Sequence, residues 1–572
     1  MSEGGNSVSR ICENPSTTLR DEVDPEELPP RTISHTTRRP RFGLGNVPLS
    51  PYILIDGRKL RSSLALSRKK PPRRVSFPTN DNHLITGYLE PANPWKLAEN
   101  VDRGDLITAY KESCIKHNSD PLETVISQLE SLSTTELRNG ELNLKGEMLD
   151  VNRAEPLEEV FKRIQFDKVD LQATFLDDES SVILFDMLEY YESVKHLNIS
   201  SNQDIGIHGW QACANMIRKT QCLEHLEAKD VILNEQYMNI LSRALRLVCH
   251  LHVLKLENCG LSGRSIVTLV AALKMNTGIR ELYLADNGLN LYDAIQLGSL
   301  LRLNNHIQLL DISNNVIQDD GVRDILEGLI NQINEDKDGK GLSILILWNN
   351  QLTKKSSPYF ARIIALSKTL ETLNIGKNTL TDELLFIIKD ALKKNRVLLQ
   401  LGIQSTEITC DGIVTLSEII EMNQVLQRID LRNNSIEVNG IKALGSAMKK
   451  NKSITKIDLD DKLDAKVDDS AESQQQYAHH LAEVRGSCSE NEENRASEET
   501  SEAQNEMNNL EEEMEGEEVQ IPGVLGSEEM ERRSHLEDNN FYNFDDQEEM
   551  DELEMLKMDL EPQYQRYAKW KI

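Results

Sequence analysis

The sequence has no run approaching the roughly 18 consecutive apolar residues that a membrane helix needs, so no membrane span is expected. It has no CxxC pair. Its eight cysteines (Cys12, Cys114, Cys213, Cys222, Cys249, Cys259, Cys410 and Cys488) follow no framework, which argues against a disulfide-stapled secreted domain and for a reducing compartment. Met1–Ser16 is polar and lacks the apolar core of a signal peptide. The expected setting is therefore intracellular, cytoplasmic and/or nuclear, and not secreted. Catalytic signatures are missing too: there is no GxxxxGK[ST], GxGxxG, HExxH or Gly-x-Ser-x-Gly. Asn334–Gly339 imitates the first six positions of a calcium loop, but the twelfth falls on Leu345 where a bidentate Glu is required. The reading is a non-enzyme with no metal and no cofactor.

Positive charge is also scarce. The chain carries a net charge of −30. Residues 461–572 hold 33 Asp and Glu against 10 Lys and Arg, a local balance of −23. Such a chain repels nucleic acid except at one short run, where Arg58, Lys59, Arg61, Arg68, Lys69, Lys70, Arg73 and Arg74 occur with no acid among them. That run also reads as a nuclear import signal.

What is abundant is repetition. The pattern LxxLxLxxNxL recurs as Leu251-Leu254-Leu256-Cys259-Leu261, Ile279-Leu282-Leu284-Asn287-Leu289 and Ile307-Leu310-Ile312-Asn315-Ile317. Further copies are Leu342-Leu345-Leu347-Asn350-Leu352, Leu370-Leu373-Ile375-Asn378-Leu380 and Leu426-Ile429-Leu431-Asn434-Ile436. Weaker copies centre on Leu142, Val169, Leu197, Leu226, Leu401 and Ile457. From Leu142 the centres step by 27, 28, 29, 28, 28, 28, 35, 28, 28, 28 and 28 residues. The long step contains Asn334–Lys340, a polar stretch that reads as a surface loop. Each Leu-x-Leu predicts a short strand with alternate side chains in the core. The Asn or Cys three positions later can bond backbone groups where the chain turns, forming a ladder between repeats. Ile266, Leu269, Val270 and Leu273 at i, i+3, i+4 and i+7 predict a helix in the rest of the unit.

The expected fold is α/β, a leucine-rich-repeat solenoid of the ribonuclease-inhibitor-like kind over residues 137–464. Residues 1–80 read as basic and disordered, and 81–136 as an extended segment and helical cap, with helices around Asp105–Lys116 and Pro121–Leu132. Residues 465–572 read as an acidic, mostly disordered tail with a short helix near Asp545–Leu560. Outward strand positions in the middle repeats are apolar: Tyr283, Leu309, Ile344, Ile346 and Trp348. They read as a partner-binding patch on the concave face, for a protein whose identity is unknown. At the end they are charged, as in Arg428, Asp430 and Arg432.

Arg74-Val75-Ser76-Phe77 has the form [K/R]-V-x-F, the docking motif of protein phosphatase 1 regulators. An extended strand adds to a sheet edge, Val75 and Phe77 drop into an apolar groove, and upstream bases complement acid beside it. Leu84 and Ile85, beginning seven residues beyond Phe77, offer a second apolar pair. Arg73-Arg74-Val75-Ser76 also marks Ser76 as a phosphorylation site for basophilic kinases.

Val75–Pro78, Gly87-Tyr88, Glu90-Pro91 and Asn93-Pro94-Trp95, followed by repeats of 28, resemble the regulatory-subunit-37 family of protein phosphatase 1 regulators. Leu157–Gln165, Leu184–Ser193, Leu197–Ser200, Leu282–Asn287 and Leu347–Leu352 carry the resemblance onward, over about residues 73–460. It implies binding to the phosphatase catalytic subunit and inhibition of its activity. Two other readings stay open at the level of sequence. One is a Ran-specific GTPase-activating protein, which shares such repeats and an acidic tail. The other is a scaffold that binds no phosphatase.

Overall fold

A computed structural model describes residues 102–132, 138–246, 250–335, 339–463 and 470–516, with side chains to 497 in the last stretch. The docking motif Arg74–Phe77 with Ser76, the pair Leu84-Ile85, the basic run and the helix expected near Asp545–Leu560 all lie outside the described residues.

Among the described residues, twelve strands form one parallel sheet in chain order. They are β1 Arg138–Asn143, β2 Gln165–Asp170, β3 Val194–Asn198, β4 His225–Glu227, β5 Val253–Lys255 and β6 Glu281–Tyr283. The second half is β7 Leu309–Asp311, β8 Ile344–Ile346, β9 Thr372–Asn374, β10 Gln400–Gly402, β11 Arg428–Asp430 and β12 Lys456–Asp458. The register pairs Leu142 with Val169, then Leu197, Leu226, Leu254, Leu282, Leu310, Leu345, Leu373, Leu401, Ile429 and Ile457. These are the twelve centres read from the spacing. Nearly all are fully buried, and each removes apolar surface worth about 1.5–3 kcal/mol from water.

Parallel neighbours need a crossover, and a helical crossover returns on one face of the sheet. Strands sit about 4.8 Å apart while packed helices need 8–10 Å. The helical side must therefore lie on the outer arc, leaving the other sheet face open and concave. In eleven repeats the residue four beyond the centre has positive φ, from Gly146 to Asn433, and six of these are Asn or Asp. Those short polar side chains tolerate the left-handed region best, and the kink turns the chain out of the strand.

The expected ladder follows. Asn287 Nδ2 donates to Leu256 O (2.8 Å), and its Oδ1 accepts from the backbone N–H groups of Cys259 and Leu261. Asn315, Asn378 and Asn434 repeat the pattern. Cys259 fills the role with its thiol, donating to Ala228 O. Where the repeat lengthens, the pattern breaks: Asn350 Oδ1 is buried without a partner.

A second ladder runs at the helix ends, unforeseen in the sequence reading. Asn276, Asn304, Asn395, Asn423 and Asn451 each donate to a carbonyl 31 residues back, and Gln332 does the same.

The long repeat differs from the expected loop. The helix α1 (Gln318–Glu335) absorbs Asn334 and Glu335, and Arg302 binds Glu335 at 3.0 Å. α1 presses on the preceding helix with Gly328 against the backbone of Gly298, an approach that no side chain permits.

Helices Arg103–Lys116 and Glu123–Ser131 cover the first repeat with Leu106, Tyr110, Val125 and Leu129. At the other end, part of the tail expected to be mostly disordered is helical. The helix α2 (Ala471–Gly516) packs Tyr477, Leu481, Val484 and Cys488 against the last repeat. The stripe is only four residues long, at i, i+4, i+7 and i+11, in an otherwise acidic and polar segment.

Candidate docking face

Each strand presents two side chains to the open face, one before and one after its buried centre, and a third projects two residues further on. Along β1–β5 many of these are charged and paired with one another. Lys168 Nζ lies 3.0 Å from Glu141 and 3.4 Å from Asp170. Glu227 lies 2.7 Å from Lys255 Nζ and 3.0 Å from His196 Nε2. The hydrogen bond to His196, aided by Lys255 and opposed by burial, holds its carboxyl down at about 2. Lys229 meets Glu257 at 2.6 Å.

The character changes at β6. Register sets Glu281, Leu309 and Ile344 side by side, and beneath them Tyr283, Asp311 and Ile346. Glu281 accepts from the Tyr283 hydroxyl (2.8 Å) and Asp311 accepts from Ser313. Burial, then Glu281 and Asp311, push the Tyr283 phenol well above its ordinary range. Among the described residues no Lys or Arg lies within 4.0 Å of either carboxylate. Of the predicted patch, Leu309 is buried between its neighbours, while Tyr283, Ile344, Ile346 and Trp348 are half-buried. The fold thus brings these five residues onto one face of three adjacent strands.

From β8 to β10, nine successive outward positions carry no charge: Ile344, Ile346, Trp348, Thr372, Asn374, Gly376, Gln400, Gly402 and Gln404. The Trp348 ring lies over Gly376, where a Cβ would meet it at 2.6 Å. Gly402 sits below Asn374 Oδ1 and Gln404 Oε1, which a Cβ would meet at 2.8 and 3.0 Å. The missing side chains open a cavity of about 190 Å³ lined by Thr372, Asn374, Gln400, Gly402, Gln404, Arg428 and Asp430. Gln404 is 8 % exposed and its Oε1 has no hydrogen-bond partner. Arg428 and Arg432 close the far end, bound to Asp458 (2.8 Å) and Asp430 (2.6 Å). Gly376, Gly402 and Gln404 escaped the sequence reading. Aligning outward positions repeat by repeat, instead of following the leucines, exposes the uncharged window.

The described free thiols are not poised to react: burial pushes Cys213 and Cys259 up to about 12. His479, His480 and Glu483 on α2 gather ligand-type atoms within 4.8 Å of one another, but Glu483 is already held by His480 (2.8 Å) and Lys449 (3.4 Å). Among the described residues no helix is long and apolar enough to cross a membrane.

A docking surface on a repeat array narrows the relatives to be expected. A family model described as Leucine Rich repeat matches residues 303–326, 366–383 and 423–445. Protein phosphatase 1 regulatory subunit 37 of Bos taurus is 40% identical over 353 residues, covering 61% of this chain and 48% of the bovine protein. That of Danio rerio is 42% identical over 300 residues, covering 52% of this chain and 32% of the fish protein. The chain is similar to protein phosphatase 1 regulatory subunit 37. It spans about half the length of the bovine relative. Ribonuclease inhibitor of Sus scrofa is 25% identical over 171 residues, 30% of each chain, in keeping with the repeat class.

Proposed function

We propose that this chain is a regulatory subunit that docks the catalytic subunit of protein phosphatase 1 through Arg74–Phe77 and inhibits or redirects it. In this reading the concave face is a second, independent protein-binding surface. The observation that carries the reading is the likeness to regulatory subunits of that phosphatase at 40% identity over 353 residues. Two features support it: an RVxF-form tetrapeptide beside a basic run, and a solenoid with an apolar, uncharged window on its open face. Val75 and Phe77 are the anchors, Arg73 and Arg74 steer, and Leu84-Ile85 extends the contact. Ser76 lies between the anchors, so a phosphate there places nearly two negative charges in the groove and switches docking off.

The test is affinity capture from a cell lysate with the full chain and with Val75→Ala/Phe77→Ala, analysed by mass spectrometry. Loss of the phosphatase catalytic subunit from the variant's eluate alone supports the reading. Retention by both sinks the motif, and absence from both favours a scaffold without phosphatase binding. Stimulated GTP hydrolysis by Ran would point to the other class instead.

A further inference from the structure

The acids and the cavity on the open face together specify a ligand. Glu281 and Asp311 lie next to Leu309, Ile344 and Ile346 across the β6–β8 ladders, with no cation within ion-pair distance among the described residues. Elsewhere on the same face, Glu141, Asp170, Glu227 and Glu257 each have a Lys partner. Two strands away, the glycine-floored cavity of about 190 Å³ holds an orphaned acceptor, Gln404 Oε1, on a side chain that is 8 % exposed. A buried acceptor without a donor costs stability and calls for an N–H or O–H to fill it. The surface therefore asks for a segment that combines cations, aromatic bulk and a neutral ring donor. Indole and phenol groups meet the last two demands at once.

Within the acidic region 461–572, one stretch has that chemistry. Pro562–Ile572 contains Arg566, Lys569 and Lys571 with Tyr564, Tyr567 and Trp570, and no acid. α2 is anchored on the last repeat, and β12 is four strand spacings from β8, about 19 Å. Gly516 and Tyr564 are 48 residues apart, a contour of up to about 160 Å. Tethering adds an effective concentration in the millimolar range without any new contact.

We propose that Tyr564–Lys571 docks in cis on the open face between β6 and β10, its cations against Glu281 and Asp311 and its aromatics over Ile344, Ile346 and Trp348. An indole N–H or phenol O–H satisfies Gln404 Oε1. This rests on the reading of that face as a docking site.

The probe is a fluorescein-labelled peptide of residues 561–572, followed by anisotropy. It is titrated into the full chain and into the full chain carrying Arg566→Gln/Lys569→Gln/Trp570→Ala, which leaves the described residues untouched. The altered chain should bind the peptide at least tenfold more tightly than wild type, whose face is already occupied. Adding Asp311→Asn and Trp348→Ala to the altered chain should remove that binding. Equal binding by both chains, or by neither, overturns the assignment to the tail. If it fails while Trp348→Ala still weakens a separately captured protein, the docking face stands and its occupant is another protein. If Trp348→Ala changes nothing either, the reading of the face falls with it.

Discussion

Asn491 Nδ2, on the terminal helix, donates to Asn451 O at 3.1 Å, as Asn451 Nδ2 donates to Asn423 O at 2.8 Å one repeat earlier. It also reaches Ile454 O at 2.9 Å. A helix from the acidic tail thus takes the place of a thirteenth repeat. The solenoid needs such an end, because a last repeat cannot cover its own apolar side.

Truncation should therefore depend sharply on where it falls. Deleting 464–572 exposes the last repeat and should lower the melting temperature by several degrees. Deleting 498–572 should change it little. Asn491→Ala strands two carbonyls and should cost about 1–3 kcal/mol, measured by chemical denaturation. Equal melting temperatures for the two truncations would show that the helix is no cap.

Trp348→Ala should leave the fold in place, because the ring lies over Gly376 on the open face and outside the core. The expected result is a melting temperature within a few degrees of wild type, with weakened capture of a partner other than the phosphatase. Gly376→Ala should act in the same direction by pushing the ring aside. Global unfolding of Trp348→Ala would make the tryptophan a core residue and remove the patch.

Glu227 sets an acid limit on the first half of the array. Its folded value of about 2 lies below the roughly 4.3 of an unfolded Glu. Its contribution is therefore complete above about pH 4.3 and is lost as the pH falls from there towards 2. Melting curves of wild type and Glu227→Gln should differ most at pH 6–7 and converge near pH 2–3. A difference that grows on acidification would reverse the assignment.

The repeats were legible because one physical demand, burial of the strand centre, recurs every 28 residues and leaves its mark on Leu142 through Ile457. The cap was not. Tyr477, Leu481, Val484 and Cys488 keep a helical spacing of 4, 3 and 4 but are only four apolar residues in a long polar segment, and Asn491 stands 40 residues from Asn451 where the repeats keep 28. The patch from Tyr283 to Trp348 was legible as composition, but its polar half was not. Gly402 and Gln404 acquire meaning only when β9, β10 and β11 stand side by side and an absent side chain becomes a cavity. The docking motif was read from chemistry alone and lies outside the described residues.

Phosphorylation of Ser76 should weaken phosphatase binding ten- to hundredfold, about 1.5–3 kcal/mol, through charge brought between two apolar anchors. Peptides covering Lys69–Tyr88, with and without the phosphate, compared by calorimetry against the catalytic subunit, measure it. Equal affinities would leave Ser76 a spacer.

The most direct measurement is the affinity of the full chain for the protein phosphatase 1 catalytic subunit, with and without Val75→Ala/Phe77→Ala. Two buried apolar side chains are worth roughly 3–5 kcal/mol together, so the variant should bind about a thousandfold more weakly. A dissociation constant within threefold of wild type would contradict docking through this motif.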